Sequence, residues 1–135
     1  MDAVIATLSE ELARAGQIVE VGPSHVTLDV GVKGFRRPRR LDVSIGRRRG
    51  EPWVVVTAPV GPLADFDTAA ALAENGALAA ASLGAVGDLL VARMAGPLAR
   101  FDVLDGVREL ALLSCRAGHL ARPDGTVESL FAHYT

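Results

Sequence analysis

Arg36, Arg37, Arg39, Arg40, Arg47, Arg48 and Arg49 crowd into one short stretch of the chain. A guanidinium group is planar, always charged and carries donors spaced to grip a carboxylate or a phosphate. These seven side chains are therefore the candidates for holding an anionic ligand. Residues 33–49 hold eight of the 14 basic side chains against one acid, Asp42, although the whole chain has a formal net charge of -2. The group falls on two successive hairpin turns, which lie at opposite ends of a meander and do not merge into one patch. Single-strand nucleic-acid binders present several stacking aromatics along a basic track, and only Phe35 stands beside these arginines. An acidic protein partner thus ranks ahead of nucleic acid. The plainest reading is solvated loops that keep sheet edges from pairing.

The other side chains with chemical capacity do not assemble into a site. His119, His133, Cys115 and Glu128 are the only grouping of metal-ligand types. The two histidines lack the i, i+3 or i, i+4 spacing of a helical zinc site, and zinc requires three or four converging ligands. Cys115 reads as a small buried hydrophobe on a helix face. Ser24-His25 and Ser114-Cys115 place a nucleophile near a base or a thiol, but neither stands in a G-x-S-x-G elbow. Asp65/Asp67 and Asp102/Asp105 fit helix capping better than acid–base chemistry. No glycine-rich loop ends in Lys-Ser or Lys-Thr. The sequence predicts no catalytic residue, no metal and no cofactor, and so a protein that is not an enzyme.

With 135 residues, half of them hydrophobic, the chain fits a single domain over residues 1–135 with a core of its own. One cysteine excludes an internal disulfide and fits a reducing compartment. No apolar run approaches the ~20 residues needed to span a bilayer, and residues 1–16 lack a basic start followed by an apolar stretch. The expectation is a cytoplasmic protein without a membrane partner.

The elements that would position these side chains follow from periodicity. Val4, Leu8 and Leu12 recur every four residues with Ile5 alongside, which predicts an amphipathic helix over residues 2–15, capped by Asp2 and stopped by Gly16. Ile18, Val19 and Val21 suggest a short strand before the Gly22-Pro23 turn. Val26, Leu28, Val30 and Val32 alternate with polar or small residues, and Leu41, Val43 and Ile45 repeat the pattern. Period two with one polar face predicts a half-solvated antiparallel sheet. Residues 33–40 and 47–52 are its hairpin loops. Residues 53–58 are apolar on both faces apart from Thr57 and read as a more central strand. Asp65 or Asp67 then caps an alanine-rich helix ending at Glu74, closed by Asn75-Gly76. Residues 77–83 and 89–95 form a strand hairpin joined through residues 84–88. Asp102 starts the last long helix, with Val103, Leu104, Val107, Leu110, Ala111, Ser114 and Cys115 facing inward. Leu112 and Leu113 widen that stripe beyond one core's needs and suggest a homodimer surface. Pro123-Asp124-Gly125 interrupts the chain, and residues 126–133 allow one more turn of helix.

The runs Trp53-Val54-Val55-Val56-Thr57-Ala58, Leu72-Ala73-Glu74-Asn75-Gly76-Ala77-Leu78 and Gly87-Asp88-Leu89-Leu90-Val91 stand within an order of helix, antiparallel strands, helix, strand hairpin, helix. This pattern resembles the type III secretion chaperone-like fold, including its YbjN-type bacterial members. The tail from Leu120 through Pro123 and Gly125 to Glu128 is similar to the family's closing helix. The resemblance implies a small, acidic, dimeric protein without chemistry that binds an extended segment of a partner along apolar patches. The expected fold is α+β, an antiparallel sheet of about five strands with helices mainly on one face, in the secretion-chaperone-like arrangement. The expected function is protein binding or chaperoning of a client. Its working surfaces would be a half-exposed sheet face around Val26, Leu28, Val43 and Val55, and the last helix at Leu112 and Leu113. The alternative is a nucleic-acid or acidic-ligand binder that uses the arginine hairpins.

Overall fold

The structure is a computed structural model that describes residues 2–74 and 81–117. A six-stranded antiparallel sheet has the order β1-β2-β3-β4-β6-β5. Its strands are β1 (Gln17–Val21), β2 (His25–Val30), β3 (Arg39–Arg48), β4 (Glu51–Pro62), β5 (Ser82–Val86) and β6 (Leu89–Pro97). Among the described residues three α-helices accompany it: α1 (Asp2–Leu12), α2 (Thr68–Glu74) and α3 (Val103–Arg116). The α+β class and the antiparallel sheet agree with the sequence, with six strands instead of about five.

The alternation along each strand builds the core. Val26 pairs with Val43, Val43 with Val56 and Val56 with Met94, so one apolar row crosses four strands. Ile45, Val54 and Gly96 form the next row. These side chains share a single core with Ile5, Leu8 and Leu12 of α1 and with Val103, Val107, Leu110 and Ala111 of α3. Helix α3 lies across β2, β3, β4 and β6, α1 sits against β1 and β2, and the two helices touch. Helix α2 adds Ala71 to the same core. The helices therefore cover the inner face, and the outer face carries Thr27, Asp42, Ser44, Val55 and Trp53.

This arrangement corrects one expectation. Val26, Leu28 and Val43 are fully buried beneath α1 and α3, so they offer no surface to a partner. Val55 pairs with Ser44 instead of Val43, which puts it on the opposite, half-buried outer face. A period of two separates the four residues between two sides of the sheet.

Local chemistry sets the boundaries. Asp102 accepts a hydrogen bond from the Asp105 amide at 3.1 Å and caps α3. Asp67 accepts one from the Ala70 amide at 3.2 Å, so it, and not Asp65, caps α2. Asp65 instead ends a 3-10 turn, Leu63–Asp65. Helix α1 stops at Leu12, three residues short of the expected end. The β3–β4 connection is tighter than expected, because Arg49 and Gly50 both have positive φ, 54° and 79°, as a two-residue type I′ turn requires. Arg47 and Arg48 therefore belong to the strand. The β5–β6 turn is also two residues, Gly87-Asp88, so β5 runs through Gly84 to Val86 where a longer loop was expected. Phe101 lies between Gly96 and Gly106, and a Cβ at either glycine would stand 2.9 or 2.8 Å from its ring. Residues 75–80 and 118–135, which include the Asn75-Gly76 stop, most of the expected strand over 77–83, and the Pro123-Gly125 break, lie outside the described residues.

Loss of the α3 cap gives a modest first check of this packing. Asp102→Ala should cost about 1 kcal/mol, read as a lower urea midpoint with an unchanged slope. Asp105→Ala should leave the midpoint nearly unmoved, because the Asp105 contribution to the cap is its backbone amide.

Candidate functional site

Pro59 is the residue that opens the site. Paired positions on β3 and β4 run from Arg48 opposite Glu51 to Asp42 opposite Thr57, and there the pairing ends. Continuing the register would set Pro59 against Arg40 at a position whose N–H should point to β3. Proline has no N–H, so the ladder stops. From here Arg39, Arg40 and Leu41 pair only with β2, while β4 follows β6 through an irregularity between Pro59 and Gly61. The sheet splits at this end, leaving an open cleft of about 440 Å³ lined by Arg37, Pro38, Arg39, Arg40, Pro59, Val60 and Gly61.

The arginines of this cleft have different roles. Arg39 continues the inward alternation of Leu41, Val43 and Ile45 and is only 4% exposed. Its Nη2 donates to the Pro59 carbonyl at 2.6 Å and to the Val60 carbonyl at 3.3 Å. Its Nε donates to Ser114 Oγ at 3.0 Å, and Ser114 donates in turn to the Ala111 carbonyl at 2.8 Å. Arg39 therefore supplies donors to carbonyls beyond the end of the β3–β4 ladder and ties both strands to α3. Arg40 points outward and forms a two-pronged pair with Asp29, at 2.9 and 3.2 Å. That hydrogen bond raises the Arg40 pKa and keeps the guanidinium oriented across the outer rim. Arg36 and Arg37 are exposed and meet no carboxylate among the described ion pairs.

The second arginine group lies elsewhere. Arg47 donates to the Gly50 carbonyl at 2.9 Å, and Arg48 stacks over Trp53 with 4.8 Å to the ring centroid. Arg49 occupies the first turn position. Eight residues of β3, 41–48, separate this turn from the cleft, about 30 Å from Arg40 to Arg49 at the usual strand rise. The seven arginines thus divide, with only Arg36, Arg37, Arg39 and Arg40 at or beside the cleft. Arg39 is a correction to the ligand set: its charge lines the cleft wall while its described donors serve the fold.

The remaining candidates are placed as follows. Cys115 is buried, and burial pushes its thiol pKa up while Arg39 pulls it down less strongly. A neutral thiol inside the fold is a poor nucleophile. Native protein should therefore resist iodoacetamide and react at the rate of global unfolding, as mass spectrometry across a urea series would report. Rapid native alkylation would contradict this placement. Ser114 is held by Arg39, and His25 stands 3.6 Å from Glu20 on β1. Among the described residues no group of three or more His, Cys, Asp or Glu side chains is placed to hold a metal. His119, Glu128 and His133 lie outside the described residues. Leu113 packs against the core and Leu112 is half-buried. No described helix is long and apolar enough to cross a membrane.

Sequence reasoning placed residues 33–40 wholly in a loop and so missed the two features that make the cleft. Arg39 stands two residues before Leu41, in phase with the inward side chains. Pro59 stands two residues after Thr57, in phase with the positions that pair with β3. Both signals are legible once the alternation is continued past the hydrophobic residues. The chain matches no protein-family model and no curated protein sequence.

Proposed function

We propose that this protein is a non-enzymatic binding domain that holds an acidic segment of a partner protein in the arginine-lined cleft between β3 and β4. The observation that carries this reading is the split itself: Pro59 ends the ladder, and Arg37, Arg39 and Arg40 line the opening. A carboxylate entering there meets the exposed Arg37 first, with Arg36 beside it and the Arg39 charge behind it. Pro38 and Pro59 stiffen both lips, which limits the ordering cost of binding. The secretion-chaperone-like arrangement, a client segment as ligand and a cytoplasmic, bacterial setting belong to the same reading.

Nucleic acid fits this geometry less well. The turn at Arg49 is about 30 Å from the cleft, so no continuous basic track follows a phosphate backbone. Trp53 is already covered by Arg48, and Phe35 is half-buried.

Fluorescence anisotropy with a labelled eight-residue Glu/Asp peptide and a single-stranded oligonucleotide separates the readings. The peptide should bind in 50 mM salt, weaken as salt rises, and lose at least tenfold in affinity with R36E/R37E. Equal affinity for the variant would overturn the assignment. Tighter binding of the oligonucleotide, with a steep salt slope, would transfer the site to nucleic acid.

A further inference from the structure

The two walls of the cleft bring no acid of their own. Residues 33–41 hold five basic side chains, and residues 52–62 hold no charge at all. A carboxylate nevertheless reaches the rim from the neighbouring strand. Asp29 of β2 stands opposite Arg40 of β3 in the sheet register, so the two side chains share the outer face. Asp29 Oδ1 accepts from Arg40 Nε at 2.9 Å, and Asp29 Oδ2 accepts from Arg40 Nη2 at 3.2 Å. This is the two-pronged geometry in which a guanidinium receives any carboxylate. We propose that Asp29 is an internal stand-in for a ligand carboxylate, and that a segment carrying at least two acids completes its binding by taking Arg40 over from it. This exchange rests on the acidic-segment reading of the cleft and adds a second contact to it.

The pair is built to be surrendered. The Arg40 side chain is 61% exposed and that of Asp29 23%, and an ion pair in contact with solvent contributes little to the fold. Water replaces Arg40 around the released carboxylate. Arg39 has no such freedom, because it is buried and bonded to two backbone carbonyls and to Ser114. Arg40 lines the cleft together with Arg37, so a chain held at Arg37 lies beside the fork that Asp29 occupies.

Asp29 also sets a threshold for the ligand. While it holds Arg40, its charge opposes any other carboxylate at the rim. Apparent affinity then falls by the fraction of molecules in which the fork is open. A single carboxylate at Arg40 merely replaces one acid by another, with little net gain. A segment already held at Arg36 and Arg37 presents its second carboxylate at high effective concentration and displaces Asp29 readily. The site therefore selects runs of acids over isolated ones.

Anisotropy with the eight-residue Glu/Asp peptide tests this as a double-mutant cycle at positions 29 and 40. Asp29→Asn should tighten binding about threefold or more, because the competing charge is gone. Asp42→Asn removes the same charge from the same face, two residues along β3 from Arg40, and should change affinity less. In an Arg40→Gln background the gain from Asp29→Asn should vanish. In the wild-type protein the Asp29 carboxyl carbon and the Arg40 Nε–H resonances should shift together as peptide is added, a readout that needs no variant. Unchanged or weaker binding by Asp29→Asn, an equal gain from Asp42→Asn, or a gain that survives Arg40→Gln overturns the exchange. Wild-type binding that R36E/R37E abolishes while both resonances stay still overturns the exchange alone. Absence of binding by wild type and Asp29→Asn alike overturns the acidic-segment reading with it.

Discussion

Arg39→Leu should lower the stability of the folded domain by roughly 3 kcal/mol, while Arg40→Leu one residue away should shift the urea midpoint far less. The difference comes from what each guanidinium leaves behind. Removing Arg39 withdraws donors from the Pro59 and Val60 carbonyls and from Ser114 Oγ. Leaving a buried acceptor unsatisfied costs about 1–3 kcal/mol, partly offset because leucine no longer has to bring a charge out of water. Arg40 is exposed, and its pair with Asp29 sits in solvent, where such pairs contribute little. Arg39→Lys should fall between them, since an ammonium cannot fork to Nε and Nη2 partners at once. Urea denaturation of the three variants checks the order. Equal losses at positions 39 and 40 would show that Arg39 is not the clamp between β3, β4 and α3.

Gly16→Ala should be the most damaging small substitution, at about 3 kcal/mol. A Cβ at this position would fall on the Asp29 carbonyl of β2 and 3.2 Å from the Val30 Cα. Both obstacles are backbone, so no side chain can swing aside, and overpacking of this kind costs about 1–3 kcal/mol or more. Moving Asp29 would also disturb its register with Arg40 and Gln17. Gly46, on the outer face with nothing within 4 Å of its Cβ position, is the matched control, and Gly46→Ala should be nearly neutral. Thermal unfolding of the pair distinguishes a steric requirement from a general preference for glycine. A mild effect at Gly16 would contradict the close approach of the α1–β1 link to β2.

Periodicity made much of this fold legible. The alternation of Val26, Leu28 and Val30 and of Leu41, Val43 and Ile45 identified paired strands, and Asp102 marked the start of α3. What it could not supply was which face the helices would cover. An alternating strand reads the same whether its apolar side is half-exposed or sealed, and here α1 and α3 seal it. Turn tightness was hidden for a related reason: Arg49 takes a positive φ that glycine or asparagine normally provides, so only Gly50 signalled the turn. The cleft was half legible. Its arginines stood out by composition, but their division into a buried clamp, a rim pair with Asp29 and an exposed pair at positions 36 and 37 depends on strand phase.

An acidic segment is expected to bind where the sheet splits. Amide chemical-shift mapping during titration with the Glu/Asp peptide tests it most directly. Saturable shifts are expected at Arg37, Arg39, Arg40, Val60 and Gly61, abolished by R36E/R37E, with the Arg47, Arg48 and Arg49 amides still. Shifts confined to the Arg49-Gly50 turn, or none at millimolar peptide, would contradict it.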